Sequence, residues 1–208
     1  MSHHETLRFT RRNLPHWLVA DASFFVTLRL AGTLPKELVE EMRMERATVK
    51  SSEDARCELA RRQFARIEGL LDESAANRMD LANPDVARFC LVNLDWLRAR
   101  GWRIFAATVL GNHAHMLLRS ENGRSRALLT DMDQYKGFTG RVANRVLGRQ
   151  GRFWARDQFD HWLRDAAKFD GVVRYIAQNP VKAGLVKDWR AWPWTIVEDD
   201  LRRLCDAS

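Results

Sequence analysis

Cysteine is scarce in this sequence and badly placed for pairing. There are three, Cys57, Cys90 and Cys205, far apart and with no CxxC among them. An odd, dispersed set does not make a disulfide framework. It fits a reducing compartment, so a cytoplasmic, nucleoid-associated location is expected. The opening "MSHHETLRFTRRNLPHW" contains no apolar core of a secretory signal. No apolar run approaches the ~20 residues that a membrane span needs, so no membrane partner is expected. Tyrosine is rarer still, with Tyr135 and Tyr175 alone. Internal repeats and low-complexity segments are also lacking.

Acidic residues are missing from one place in particular. Between Lys136 and Arg156 there is none, while Lys136, Arg141, Arg145, Arg149, Arg152 and Arg156 all fall there. These six nearly equal the whole excess charge of +7. Arg141, Arg145 and Arg149 repeat every four residues, which predicts one stripe along a helix. Phe138, Phe153 and Trp154 interleave with the bases. Arginines that pair with phosphates, beside aromatics that stack on bases, are the footprint of a groove for single-stranded nucleic acid. A merely solvated helix face usually mixes both signs, and this one does not. With a pI of about 9.8, the chain as a whole suits a polyanionic partner, nucleic acid first and an anionic membrane surface second. A basic protein with no such partner is the plain alternative.

Apolar material is plentiful. Its 46% share over 208 residues is enough for the core of one domain with extensions. Residues 1–14 read as a flexible basic arm, 15–195 as a single domain, and 196–208 as a C-terminal tail. "ASFFVTLRL" (22–30) reads as a buried strand closed by "GTLP". From 36 to 72 the text is charged with helical periodicity, and "SSED" separates two helices as a capping signal. "MDLANPDVARFCLVNLDWLRARG" gives a third helix, with Pro84 near its first turn and Gly101 past its end. "WRIFAATVL" (102–110) and "HAHMLLR" (113–119) form a hairpin across "GN". A long helix follows, weakened at Gly137 and Gly140. Then come a strand over 158–165 and a helix over 166–179, capped by Asp165 and ended by Pro180. The tail "GLVKDWRAWPWT" carries Trp189, Trp192 and Trp194, for which core packing is expected. This order predicts an α+β fold, a ferredoxin-like antiparallel sheet with helices packed on it, with extra helices inserted after the first strand over about 36–100.

Two constellations could carry chemistry. His113 and His115 are two apart on a strand and therefore share a face. Such a pair is either a metal site or two core residues that happen to be histidine. Burying both would be costly unless each were hydrogen-bonded or coordinated. Tyr175 and Asn179 are four apart on a helix and share a face as well. Amphipathic packing of the phenol, with the amide as a helix-terminal residue before Pro180, is the plain reading of that pair.

Taken together, these stretches resemble a known family. "GNHAHMLL" looks like the His-hydrophobic-His motif of single-tyrosine HUH transposases. "VVRYIAQNPVKAGLV" is similar to their nucleophile helix, in the form typical of REP-associated tyrosine transposases. "RRNLPHWLVADASFFVTLRLAGTLP", "YKGFTGRVANRVLG", "GRFWARDQFDHWLRD" and "WPWT" resemble the same subfamily, so the likeness runs from about residue 11 to 195. Two positions depart from the pattern: Ala114 is small, and Gly111 stands where a proline is common. The resemblance implies a ferredoxin-like fold, His113, His115 and Asn179 as metal ligands, and Tyr175 as the nucleophile. It implies a transposase that cleaves single-stranded DNA at hairpin-forming, REP-like repeats and passes through a 5′-phosphotyrosine. A nitrogen and oxygen ligand set of this kind suits Mg²⁺ or Mn²⁺. His161 in "FDHWLRD" is a candidate helper in the proton transfers, with a structural role the stronger reading. Relatives of this kind act as a monomer or a homodimer. A hairpin-binding regulator with little or no cleavage, and an unrelated metal hydrolase acting on small molecules, are the alternatives. Nothing in the resemblance bears on the charged segment 36–72.

Overall fold

The computed structural model describes residues 6–11, 15–48, 53–73, 79–121, 123–163 and 165–206. Its centre is a five-stranded antiparallel sheet built from β3 (Ser23–Arg29), β4 (Trp102–Val109), β5 (His113–Ser120), β6 (Phe159–Leu163) and β7 (Thr195–Val197). The strand order is β6-β3-β5-β4-β7. Without β7 this is the 4-1-3-2 order of a ferredoxin-like sheet, as the element order predicts. A separate two-stranded ribbon pairs β1 (Thr6–Arg11) with β2 (Pro15–Val19). Residues 6–11, expected as a flexible arm, are therefore a strand. The remainder of the expected arm lies outside the described residues.

Helices cover both faces of the sheet. Alternation along the strands sorts Phe24, Val26, Leu28, Ala114, Met116 and Leu118 to one face. Over them lie α3 (Pro84–Val92), α4 (Leu94–Ala99) and α5 (Leu128–Val146). The expected third helix is thus two, broken at Asn93, and Asn83 caps α3 by accepting from the N–H groups of Asp85 and Val86. Phe25, Phe105, Ala106 and Leu117 point to the other face, under α6 (Ala166–Lys182). A register shift between Ile104 and Ala106 lets Phe105 and Ala106 both reach that side. The inserted helices α1 (Lys36–Thr48) and α2 (Glu53–Glu73) form a third cluster around Leu34, Leu38, Met42, Ile67 and Leu71.

Buried polar groups lock these layers together. Asp131 on α5 is fully buried and accepts from Trp102 Nε1 at 2.8 Å and Arg100 Nε at 2.9 Å. Tyr135 donates its hydroxyl proton to the Cys90 carbonyl at 2.7 Å. Gly137 and Gly140 do not interrupt α5. At Gly140 a Cβ would come within 3.2 Å of Phe153, so the glycine admits the loop that follows.

Two element ends differ from expectation. Helix α6 runs through Pro180 to Lys182. So close to the helix end, the missing N–H costs one hydrogen bond, and the ring itself is buried. Asp165 caps the other end, accepting from Lys168 N at 2.8 Å. The chain beyond 195 is part of the packed fold, because β7 pairs with β4 and α7 (Arg202–Cys205) packs on α6. Trp189 is buried, as expected for a core residue, and half-buried Trp192 donates to the Val109 carbonyl at 3.0 Å.

Candidate active site

His113 and His115 stand side by side on β5, on the face under α6, with ring centroids 4.6 Å apart. Both are buried. Each ring is oriented by a hydrogen bond at Nδ1. Asn112 donates its amide N–H to the Leu71 carbonyl at 3.0 Å, which turns its Oδ1 toward His113 Nδ1 at 2.6 Å. That oxygen only accepts, so His113 carries its proton on Nδ1. Thr27 gives its single hydroxyl proton to Glu68 Oε1 at 3.4 Å and lies 2.9 Å from His115 Nδ1. Thr27 accepts from His115 Nδ1 in the tautomer that leaves Nε2 without a proton. Neither Nε2 atom has a hydrogen-bond partner. Burial drives both imidazoles toward neutrality. It pushes His115 down to about 3 and His113 well below the ordinary range, the latter helped by its neighbour. Neutral rings, oriented by an outer hydrogen bond with Nε2 free, are what metal coordination by histidine requires.

Helix α6 brings Tyr175 to the same place, its ring 5.4 Å from that of His115 and 5.8 Å from Phe25. The other tyrosine, Tyr135, is buried and committed to the Cys90 carbonyl, so Tyr175 is the phenol at this site. Lys182 lies over its ring at 4.7 Å. One turn along, Asn179 is fully buried, and neither atom of its side-chain amide has a partner. A buried amide left unsatisfied is expensive.

A residue that the motifs did not flag completes the cluster. Glu68 comes from the inserted helix α2, and one of its carboxylate oxygens lies 3.2 Å from His115 Nε2. Tyr175 donates its hydroxyl proton to the same oxygen, Oε2. Donor atoms of Glu68, His113 and His115 all fall within 4.8 Å of one another, and this is a group able to hold a metal ion. Burial raises the Glu68 carboxyl to about 7, against the opposing pull of its bonds from Tyr175 and Thr27 and the charge of Lys182. The signal for Glu68 was present in the sequence. Phe64, Ile67, Glu68 and Leu71 share one face of α2, so an acid stands among core positions.

The basic stretch divides. Arg141 and Arg145 are exposed on α5, in the layer over the opposite face of the sheet from the histidines. Arg152 and Arg156 are exposed in the loop after it, and Arg156 lines a small cavity with Arg29, Arg46 and Asp157 next to Ile67 of α2. Lys136 is turned inward: it is 8% exposed and its ammonium donates to the Arg156 carbonyl at 2.7 Å and Gln158 Oε1 at 2.9 Å. Arg149 lies past the end of α5, breaking the expected three-residue stripe, and pairs with Asp80. Phe153 and Trp154 are core residues, and Trp154 Nε1 donates to Thr139 Oγ1 at 2.9 Å. Phe138 alone of the three aromatics is exposed. His161 sits exposed on β6, opposite Phe25 and beside Gln63 and Phe64.

No family model matches the chain, and no curated protein matches it. Among solved structures, one described as "Structure of the REP associates tyrosine transposase bound to a REP hairpin" superposes with a TM-score of 0.52 over 97% of this chain and 91% of that one, at 16% identity. The chain has the fold of that transposase. Among the described residues, no helix is long and apolar enough to cross a membrane.

Proposed function

We propose that the protein is a metal-dependent endonuclease and strand transferase acting on single-stranded DNA at hairpin-forming repeats. The observation that carries this reading is the pairing of two neutral, outward-braced histidines with Tyr175, on a fold shared with a hairpin-bound transposase.

His113 Nε2, His115 Nε2 and the Asn179 amide oxygen would hold the divalent ion, Mg²⁺ or Mn²⁺. Their fit is supported by the buried, partnerless state of these atoms. When bound, the ion would neutralise a non-bridging phosphate oxygen and draw off charge as the transition state forms. The Tyr175 oxygen forms the new bond to phosphorus, and the bond from phosphorus to the 3′ oxygen breaks. The phenol loses its proton and the departing 3′ oxygen gains one, leaving a 5′-phosphotyrosine and a 3′-hydroxyl. A phenol of ordinary pKa near ~10 is a fair leaving group, so the linkage conserves the phosphodiester bond for resealing by a 3′-hydroxyl. Lys182, above the Tyr175 ring, would supply positive charge to a phosphate bound beside the phenol.

Arg141 and Arg145 offer phosphate contacts for a hairpin stem on the α5 face. Arg156, which lines a cavity with Ile67 of α2, would carry positive charge toward that side, and exposed Arg152 in the same loop would add a phosphate contact. A labelled hairpin oligonucleotide with single-stranded flanks tests the reading. The wild-type chain is expected to nick it with Mg²⁺ or Mn²⁺ and not after chelation, and His113→Ala is expected to lose the activity. Tight, salt-sensitive binding with no nicking in either metal would instead identify a hairpin-binding regulator.

A further inference from the structure

We propose that Glu68 is a protein ligand to the ion, and that taking up the ion withdraws its carboxylate from Tyr175. The inserted helix α2 would then couple metal loading to release of the nucleophile. This rests on the metal-dependent reading above and adds a residue to it from a segment that carries no motif.

Three observations lead there. First, His115 Nε2 and Glu68 Oε2 lie 3.2 Å apart with no hydrogen bond at Nε2, so a cation taken up there would meet a nitrogen and an oxygen donor at once. Second, the three donor groups fall within 4.8 Å of one another, a spread that modest side-chain movement contracts onto one ion. Third, helix α2 reaches the site twice, through Glu68 itself and through the Leu71 carbonyl that orients Asn112, which in turn orients His113. A helix that served only to cover the sheet would put an apolar residue at position 68. Instead it presents an acid whose second partner is the candidate nucleophile.

Ligation draws electron density from that oxygen and turns the carboxylate toward the ion, which weakens it as acceptor for the Tyr175 hydroxyl. Before the ion binds, Tyr175 is tied to Glu68. Once the carboxylate turns to the ion, the phenol is freed toward the substrate phosphate. With His113, His115 and Asn179, Glu68 makes a four-donor set, and an octahedral ion keeps two positions for phosphate and water. A carboxylate among the donors strengthens the preference for hard cations and raises affinity without DNA.

The test is a Mn²⁺ titration of the full chain without DNA, followed by loss of the free-ion electron paramagnetic resonance signal. Glu68→Gln is expected to weaken Mn²⁺ binding about tenfold or more. Tyr175→Phe is expected to tighten it several-fold, because the competing hydrogen bond is gone. Glu68→Ala, checked for native circular dichroism, is expected to behave as Glu68→Gln. Wild-type binding with unchanged affinity in Glu68→Gln and Glu68→Ala overturns the ligand assignment and leaves the function above standing. Unchanged affinity in Tyr175→Phe, with weakened Glu68→Gln, overturns the coupling. No Mn²⁺ binding by the wild-type chain would sink the metal-dependent function itself.

Discussion

Replacing Glu68 by Gln is expected to make the metal-free protein more stable at alkaline pH, even though the residue belongs to the site. Burial raises the carboxyl from 4.5 to about 7. Between those values the folded chain holds a proton that the unfolded chain has released, so stability falls as pH rises through this window. A shift of that size corresponds to roughly 3 kcal/mol once the pH is well above 7, and most of it is absent below pH 5. Glutamine keeps the shape of the neutral acid and avoids this cost. Urea unfolding with a chelator present is therefore expected to show the advantage of Glu68→Gln growing by about 2 kcal/mol between pH 5 and pH 8. The buried histidines act with the opposite sign. Neutral when folded and protonated when unfolded below about 6.5, they destabilise the protein on acidification in both chains alike, and so cancel in the difference. With saturating Mn²⁺ the order is expected to reverse, because an ion bound to the native state alone favours the chain with the better ligand set. A difference between the two chains that does not change with pH, or a Glu68→Gln protein less stable than wild type at pH 8 without metal, would refute the reasoning.

Other expectations follow from the same contacts. Asn112→Ala removes the acceptor that orients His113, and Mn²⁺ affinity should fall ten- to a hundredfold in the same titration. Replacing Arg141 and Arg145 together by Ala should weaken hairpin binding and reduce the slope of log affinity against log salt by about 2, measured by fluorescence anisotropy. Lys136→Ala should lower stability by about 1–3 kcal/mol in urea unfolding, since Gln158 and the Arg156 carbonyl lose a buried donor, while the salt slope of DNA binding stays as in wild type.

How much of this was legible in the sequence depends on how local the cause is. The β4–β5 hairpin, the Asp165 cap and the strand at 23–29 are written in short-range patterns of apolar alternation and capping, and the structure contains them. The α+β architecture follows from their order. The ribbon of β1 and β2 was not legible, because polar text over a short span looks the same whether it pairs or not. Pro180 misled because a proline two residues from a helix end costs little. Lys136 read as an exposed cation because charge patterning cannot tell an exposed ammonium from one turned onto a carbonyl across a loop. Glu68 is the instructive case. Its position on the apolar face of α2 marks it as unusual, but only the packing of α2 against β5 and α6 shows that it meets His115 and Tyr175. No motif spans a contact between residues 68, 115 and 175.

The central claim is that Tyr175 becomes covalently joined to DNA. Incubating the wild-type protein with a hairpin oligonucleotide and Mn²⁺, then digesting and mapping the adduct by mass spectrometry, tests it most directly. The expected result is a 5′-phosphate linked to the peptide containing Tyr175, absent from Tyr175→Phe. An adduct on another residue, or cleavage that persists in Tyr175→Phe, would contradict it.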